Sequence, residues 1–302
     1  LKLEKRFSLT LQLPEDYNFR LTAAAYSFSW VFDGSNLRIV LDREGESVVC
    51  VREQERALEV EVYSSRSDLL KDQVVEQLVD VLGLEEDLTD FYIRSTRDLI
   101  LRDPPRGLHI RKCDPWFAFL IAVSQQNASF RQGWYMLYRL VKNFGKPIPL
   151  EGRIIYIPPS PKKVLELGEN ALKACGYGYR TRIVLDAARR FVELDTDDLH
   201  RTLRDVKGVG PYTYGLACAL AYREYNHKVI DRWVKGLYET LGVKNVEKYY
   251  EEVWGPWKAY ATWMLTIVLD AVPLSKAIER VKRGEVKPTM QGLTPLTMWR
   301  YW

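Results

Sequence analysis

The stretch Leu203–Val234, LRDVKGVGPYTYGLACALAYREYNHKVIDRWV, leaves this chain the fewest structural choices. Gly208 and Gly210 bracket Val209, and glycine lets a chain reverse sharply and bring its amides close to another molecule. Pro211 suits the first position of a helix, where the amide it lacks would be unpaired anyway. Tyr212 to Tyr222 is apolar and alanine-rich, which predicts a buried helix. Ahead of the turn, Thr196 to Val206 reads as another helix, opened by an Asp/Thr cap and turning Leu199 and Leu203 inward. The pattern is helix, tight hairpin, helix.

Such a hairpin has a physical use. The amides of Val209 and Gly210 stand at the positive end of the second helix, an arrangement suited to a phosphate. A Gly-x-Gly turn alone also describes an ordinary connection between helices. Beyond the second helix, Val229 and Ile230 form a short apolar run, and Asp231 opens a further helix that carries Trp233, Val234 and Leu237. Asp231 alone could be no more than a helix cap.

Taken together, the VKGVG turn and an aspartate 21 residues after Gly210 resemble the helix-hairpin-helix DNA glycosylase superfamily. Three other segments point the same way, in the same order. The polar island Ser124-Gln125-Gln126-Asn127 interrupts an apolar run that starts at Asp114-Pro115. By resemblance, such a Gln/Asn group enters the DNA stack opposite the extruded nucleotide. The segment LGENALKACGYGYRTRIVLDAARRFVE, with a turn at Gly176, Gly178 and Tyr179 and with Arg180, Arg182, Arg189 and Arg190 beyond it, is similar to a segment of 8-oxoguanine glycosylases and their alkylbase relatives. The segment EEVWGPWKAYATWMLTIVLDAV resembles alkyladenine glycosylases, with Trp254 and Pro256 closing one helix and Lys258 and Ala261 opening the next. The tail from Lys287 to Trp302 has no counterpart.

The remainder of the chain fixes class and layout. At 302 residues with 47% hydrophobic content there is material for two parts and an ample core. No apolar run reaches membrane-spanning length and no N-terminal signal pattern is visible, so the expected protein is intracellular, in cytoplasm, nucleoid or nucleus, and without a membrane partner. Cys50, Cys113, Cys175 and Cys218 lie far apart without a CxxC, which suggests neither a zinc site, nor a disulfide framework, nor a clustered iron–sulfur motif. His109, His200 and His227 are isolated in sequence and read as ordinary histidines. Charge is unevenly spread. Residues 1–98 carry 12 Lys/Arg against 20 Asp/Glu, and residues 99–302 carry 32 against 20, so the second part is the one suited to a polyanion.

The acidic part alternates apolar and polar residues at FSLTLQL, SNLRIVLD, SVVCVRE and LEVEVYS, the period of half-buried strands. Turns fall at Asp33-Gly34-Ser35-Asn36 and Glu44-Gly45-Glu46, and LLKDQVVEQLVDVLGL has helical spacing up to Gly83. The expected fold class is α+β: an antiparallel sheet with a helix over 1–98, then a mostly helical core over 99–302. A junction is expected near Asp103-Pro104-Pro105, since neither proline suits a helix interior. The run from Asp114 to Gly145 reads as one long apolar helix, with a break at the polar island, its amides self-satisfied, as the alternative. FRLTAAAYSFSWVFDG resembles the segment that approaches the base pocket in alkyladenine and 8-oxoguanine glycosylases, which makes Tyr26, Phe28 and Trp30 pocket candidates beside plain sheet core.

The resemblance implies a protein that turns a damaged purine out of duplex DNA and breaks its N-glycosidic bond. Asp231 is then the catalytic acid. Tyr26, Phe28, Trp30, Tyr212 and Trp233 line the base pocket, and Gly208, Val209, Gly210, Thr213, Gln125, Gln126, Asn127, Arg180 and Arg182 meet DNA. Relatives that also nick the strand carry a lysine two residues after the second glycine, a position held here by Tyr212. Tyrosine forms no imine, so water is the expected nucleophile and the strand stays whole. Lys207 and Lys228 are near in sequence and could act only from a different geometry. An electron-rich pocket attracts a cationic base, which makes an alkylated purine such as 3-methyladenine the expected lesion. The alternatives are an oxidised or deaminated purine, for which the carbonyl of Ala25 takes the recognition position of the 8-oxoguanine branch, or a DNA-binding module without catalysis. No redox cofactor or catalytic metal is implied. A sodium or potassium ion could bind the carbonyls of Arg204, Val206 and Val209, and a monomer is expected.

Overall fold

The structure, a computed structural model, describes residues 2–302. Four antiparallel strands, β1 (Glu4–Gln12), β2 (Asn36–Val40), β3 (Ser47–Gln54) and β4 (Ala57–Ser64), form a sheet in the order β1-β4-β3-β2. Alternation sets its faces. The register pairs Leu9 with Val60, Val49 with Val62 and Val51 with Val60, which stacks these apolar side chains on one face. They join the core, as do Val74, Leu78 and Leu82 of helix α2 (Lys71–Leu82). An additional short helix, α1 (Phe19–Ala24), is capped by Asn18.

The helical part follows, and it shares one continuous apolar core with the sheet. Helix α3 (Thr89–Ser95) packs on α11 (Val246–Trp254), and Asp98 accepts hydrogen bonds from Tyr238 at 2.9 and 3.0 Å and from Tyr249 at 3.0 Å. Contacts therefore cross the expected boundary at residue 98 well before the irregular stretch around Pro104 and Pro105.

Two sequence expectations are corrected. The run 114–145 is two helices, α4 (Pro115–Gln125) and α5 (Phe130–Phe144), because Asn127 adopts a left-handed φ of 48° and Ser129 starts a new helix with a reciprocal capping box to Gln132. The helix expected over 196–206 is a single turn, α8 (Leu199–Thr202), capped by Asp198. Leu199 and Leu203 do face inward.

Between these lie a hairpin, β5 (Lys146–Leu150) with β6 (Arg153–Ile157), and helices α6 (Pro161–Ala174) and α7 (Arg180–Leu194). Helix α9 (Pro211–Tyr222) packs against α4 and α12 (Lys258–Val268), while α10 (Arg232–Thr240) packs against α13 (Leu274–Lys282). No helix among the described residues is long and apolar enough to cross a membrane. The tail folds back: Pro295 accepts the amide of Tyr26 at 2.7 Å and Trp302 that of Ser29 at 2.5 Å.

Candidate active site

A cavity of about 700 Å³ lies where the segment after α1, helices α4 and α5, and the starts of α9 and α10 converge. Tyr26, Phe28, Trp30, Tyr212, Trp233, Asp231 and Gln125 all line it. Its wall is aromatic. Tyr26 stacks on Trp134 at 5.3 Å and lies 5.9 Å from Trp263, while Phe28 stacks on Trp30 at 4.5 Å. Phe130, Trp134, Tyr156 and Trp263 were not singled out in the sequence, where each reads as helix or strand core. Tyr26 holds a left-handed φ of 52°, unusual for a residue with a side chain. The tail carbonyl of Pro295 and a hydrogen bond to Thr266 fix it there.

Asp231 caps α10. Its Oδ1 accepts from the amide of Val234 at 2.8 Å, and no cation among the described residues pairs with it. Burial pushes this carboxyl above the usual carboxylate range, against the lowering effect of the cap amides of Val234 and Trp233. Burial, with the Asp231 carboxylate adding to it, also raises the phenol of Tyr212, so that hydroxyl stays neutral. Trp233 is locked by donating from Nε1 to Val272 at 2.9 Å.

One charged wall residue has no sequence signature. Arg111 donates to the carbonyls of Thr22 and Ala25, each at 2.9 Å, and to Oγ of Ser27 at 2.6 Å. Burial pushes its guanidinium down to about 10, which still leaves it a cation at neutral pH. The Ala25 carbonyl, a possible recognition group, already accepts a hydrogen bond from this residue.

Beside the cavity stands the hairpin. Gly208 has φ 95°, and a Cβ there would lie 2.7 Å from Ile183, so both backbone and space require glycine. The amide of Val209 donates to Val206 at 3.1 Å and is therefore not free for an anion, a correction to the sequence expectation. The open donors are the amide of Gly210 and those of Tyr212 and Thr213 in the first turn of α9. The Thr213 side chain is fully buried and can contribute only its backbone. The carbonyls of Arg204 and Val209 accept no hydrogen bond, and that of Val206 accepts one.

The polar island forms the loop between α4 and α5. Gln126 donates from its side chain to the carbonyl of Gly208 at 3.0 Å, and Asn127 is exposed at the tip. Gln125 points inward, its Nε2 buried without a partner. Arg180 is also turned inward, 8% exposed, and donates to the carbonyls of Gln126 (2.9 Å) and Asn127 (3.2 Å). It supports the loop from behind, whereas Arg182 is exposed.

No family model matches. The chain is 22% identical over 228 residues to the N-glycosylase/DNA lyase of Saccharomyces cerevisiae, a match that spans 65% of this chain and 60% of that protein. Among solved structures it is similar to the 8-oxoguanine glycosylase/lyase of Clostridium acetobutylicum bound to double-stranded DNA containing cytosine opposite 8-oxoguanine, with a TM-score of 0.69, 17% identity, and 93% and 98% of the two chains covered. It is also similar to the 3-methyladenine DNA glycosylase of Archaeoglobus fulgidus, with a TM-score of 0.65, 21% identity, and 85% and 96% covered.

Proposed function

We propose that this chain, which belongs to the helix-hairpin-helix DNA glycosylase superfamily, removes a damaged purine from duplex DNA by hydrolysis and leaves the strand uncut. The observation that carries this reading is the half-buried carboxylate of Asp231, without a cationic partner, in an aromatic cavity beside the N-terminal end of α9. As the glycosidic bond lengthens, its electron pair leaves with the base and positive charge develops on the sugar. Asp231 stabilises that charge and takes the proton of the water that adds to C1′. Burial keeps the carboxylate poorly solvated, which strengthens both effects.

Water is the nucleophile because, among the described residues, no free amine faces the cavity. Lys112 lines it, but its ammonium binds Asp80 at 2.6 Å. Lys228 pairs with Glu247 at 3.7 Å, and Lys207 is exposed outside the cavity. DNA is gripped at the amide of Gly210 and the first turn of α9, by the basic second part, and by Asn127 entering the stack. An alkali cation held by the carbonyls of Arg204, Val206 and Val209 would support the turn from its other side, and the free acceptors there fit one.

The lesion follows from charge. Asp231 and Arg111 carry opposite charges in the lining of the same cavity and offset each other in net terms, so the aromatic faces decide. A cationic alkylated purine gains roughly 0.5–2 kcal/mol from such faces, and it is already a good leaving group. A second reading, an oxidised or deaminated purine, is favoured by the guanidinium of Arg111, which suits an acceptor-bearing neutral base. Base release from duplexes carrying 3-methyladenine, 7-methylguanine, hypoxanthine or 8-oxoguanine, with and without alkali, tests both. Methylpurine release with cleavage only after alkali is the expected result. Release of 8-oxoguanine alone selects the second reading, and no release from any duplex overturns the enzyme.

A further inference from the structure

The face of α9 turned away from the cavity carries a second cluster. Tyr212, Leu216 and Leu220 line the cavity, and Tyr214, Cys218 and Tyr222 do not. Around Cys218 the fold gathers His200 from α8 and Glu224 from just beyond α9, and His227, from the approach to Asp231, bonds the far oxygen of Glu224. The ligand atoms of His200, Cys218 and Glu224 all lie within 4.8 Å of one another. Nε2 of His200 is 3.1 Å from Oε1 of Glu224, and Nε2 of His227 is 3.2 Å from its Oε2.

We propose that His200, Cys218 and Glu224, with His227 as fourth donor, bind a single transition-metal ion of zinc character behind the hairpin. The donor set is the first reason. One thiolate, imidazole nitrogens and one carboxylate suit a borderline-soft, tetrahedral ion and not calcium or magnesium. Spacing is the second. A tetrahedral ion with bonds of about 2.0 Å to nitrogen and oxygen sets such ligands roughly 3.3 Å apart, close to the 3.1 and 3.2 Å at which His200 and His227 hydrogen-bond the two separate oxygens of Glu224. The ligand atom of Cys218 lies within 4.8 Å of those of His200 and Glu224.

The surroundings are also those of a ligand shell. Nδ1 of His200 bonds the hydroxyl of Tyr214 at 2.5 Å, which leaves Nε2 to face the cluster. The ring of His200 stacks on Tyr222 at 5.5 Å, and Tyr214 meets His227 edge-on at 5.3 Å. Gly215 makes the approach possible, since a Cβ there would lie 2.6 Å from that of His227. Cys218 is buried while His200, Glu224 and His227 are partly exposed, so the site has a path to solvent. A bound ion joins α8, α9 and the segment that ends at Asp231. It acts as a structural staple, and this assignment does not depend on the glycosylase reading.

Cobalt(II) titration of the chelator-stripped full chain is the test. One equivalent should give the intense visible bands of a tetrahedral ion together with a near-ultraviolet thiolate-to-cobalt band. Zinc should displace the cobalt, and the thermal midpoint should rise with added zinc. Cys218→Ser should remove the thiolate band, and His200→Ala and His227→Ala, at partly exposed positions that leave the core intact, should each weaken binding at least tenfold. Absence of a saturable band in the unsubstituted chain, or a thiolate band that persists in Cys218→Ser, overturns the site.

Discussion

The side-chain amide of Gln126 donates to the carbonyl of Gly208 at 3.0 Å, which makes the loop between α4 and α5 and the turn before α9 one unit. Replacing Gln126 with Leu removes the tie and leaves the Gly208 carbonyl without a donor. Gly208→Ala is more severe, because it forces a side chain into φ 95° and against Ile183. Both variants should bind duplex DNA more weakly, with Gly208→Ala also losing on the order of 1 kcal/mol or more of stability. Fluorescence anisotropy and urea unfolding check the pair. Unchanged DNA affinity in Gly208→Ala would remove the hairpin from the DNA interface.

Arg180 and Arg182 separate support from contact. Arg180 holds the carbonyls of Gln126 and Asn127, and Arg182, two residues on, is exposed to solvent. Arg182→Ala should reduce the salt dependence of binding by about 0.9 in the log–log slope, the value of one lost phosphate contact. Arg180→Ala should lower affinity and base release at an unchanged slope, since the loop loses its anchor and no phosphate loses its partner. Affinity measured across a salt series decides, and a changed slope in Arg180→Ala contradicts the inward role.

Periodicity and turn chemistry made the sheet, α2 and the hairpin legible in the sequence, because these are local patterns. The break between α4 and α5 was legible too, in Ser129-x-x-Gln132, but the apolar run around it masked the cap. The cavity wall was only half readable. Tyr26, Phe28 and Trp30 carry a family pattern, while Trp134, Tyr156 and Trp263 come from three distant elements whose meeting no local signal encodes. Arg111 and the cluster of His200, Cys218, Glu224 and His227 were missed for the same reason. Each residue looks ordinary alone, and only the packing of α8 and α9 with the segments that follow brings His200, Cys218 and Glu224 together and sets His227 against Glu224.

Tyr212 offers a gain-of-function test. It stands on the first turn of α9 within the cavity that holds Asp231. Tyr212→Lys places an amine there, where burial favours its neutral, nucleophilic form. The variant should be trapped on damaged duplex by borohydride, while the unsubstituted chain should not. Trapping of the unsubstituted chain would return Lys112, Lys207 and Lys228 to consideration and end the hydrolytic reading.

Asp231 should be costly to stability and necessary to activity at once. Burial raises its pKa in the folded chain above the unfolded value, so the folded state holds this proton more tightly. The stability it contributes is present below the ordinary carboxylate pKa and is lost as pH rises from there through the raised folded value. Asn accepts the Val234 amide about as well as Asp does, so Asp231→Asn keeps the cap of α10 without the buried charge. At neutral pH the variant should therefore unfold at higher urea than the unsubstituted chain, and the difference should shrink as pH falls toward the unfolded value. Base release should drop by about 10²-fold or more, the usual effect of removing a charge that meets the transition state, with DNA affinity retained. In the unsubstituted chain, release should rise with pH through the raised pKa, because only the carboxylate form stabilises the sugar cation. A variant that is both less stable at neutral pH and still active would show that Asp231 is a helix cap and nothing more.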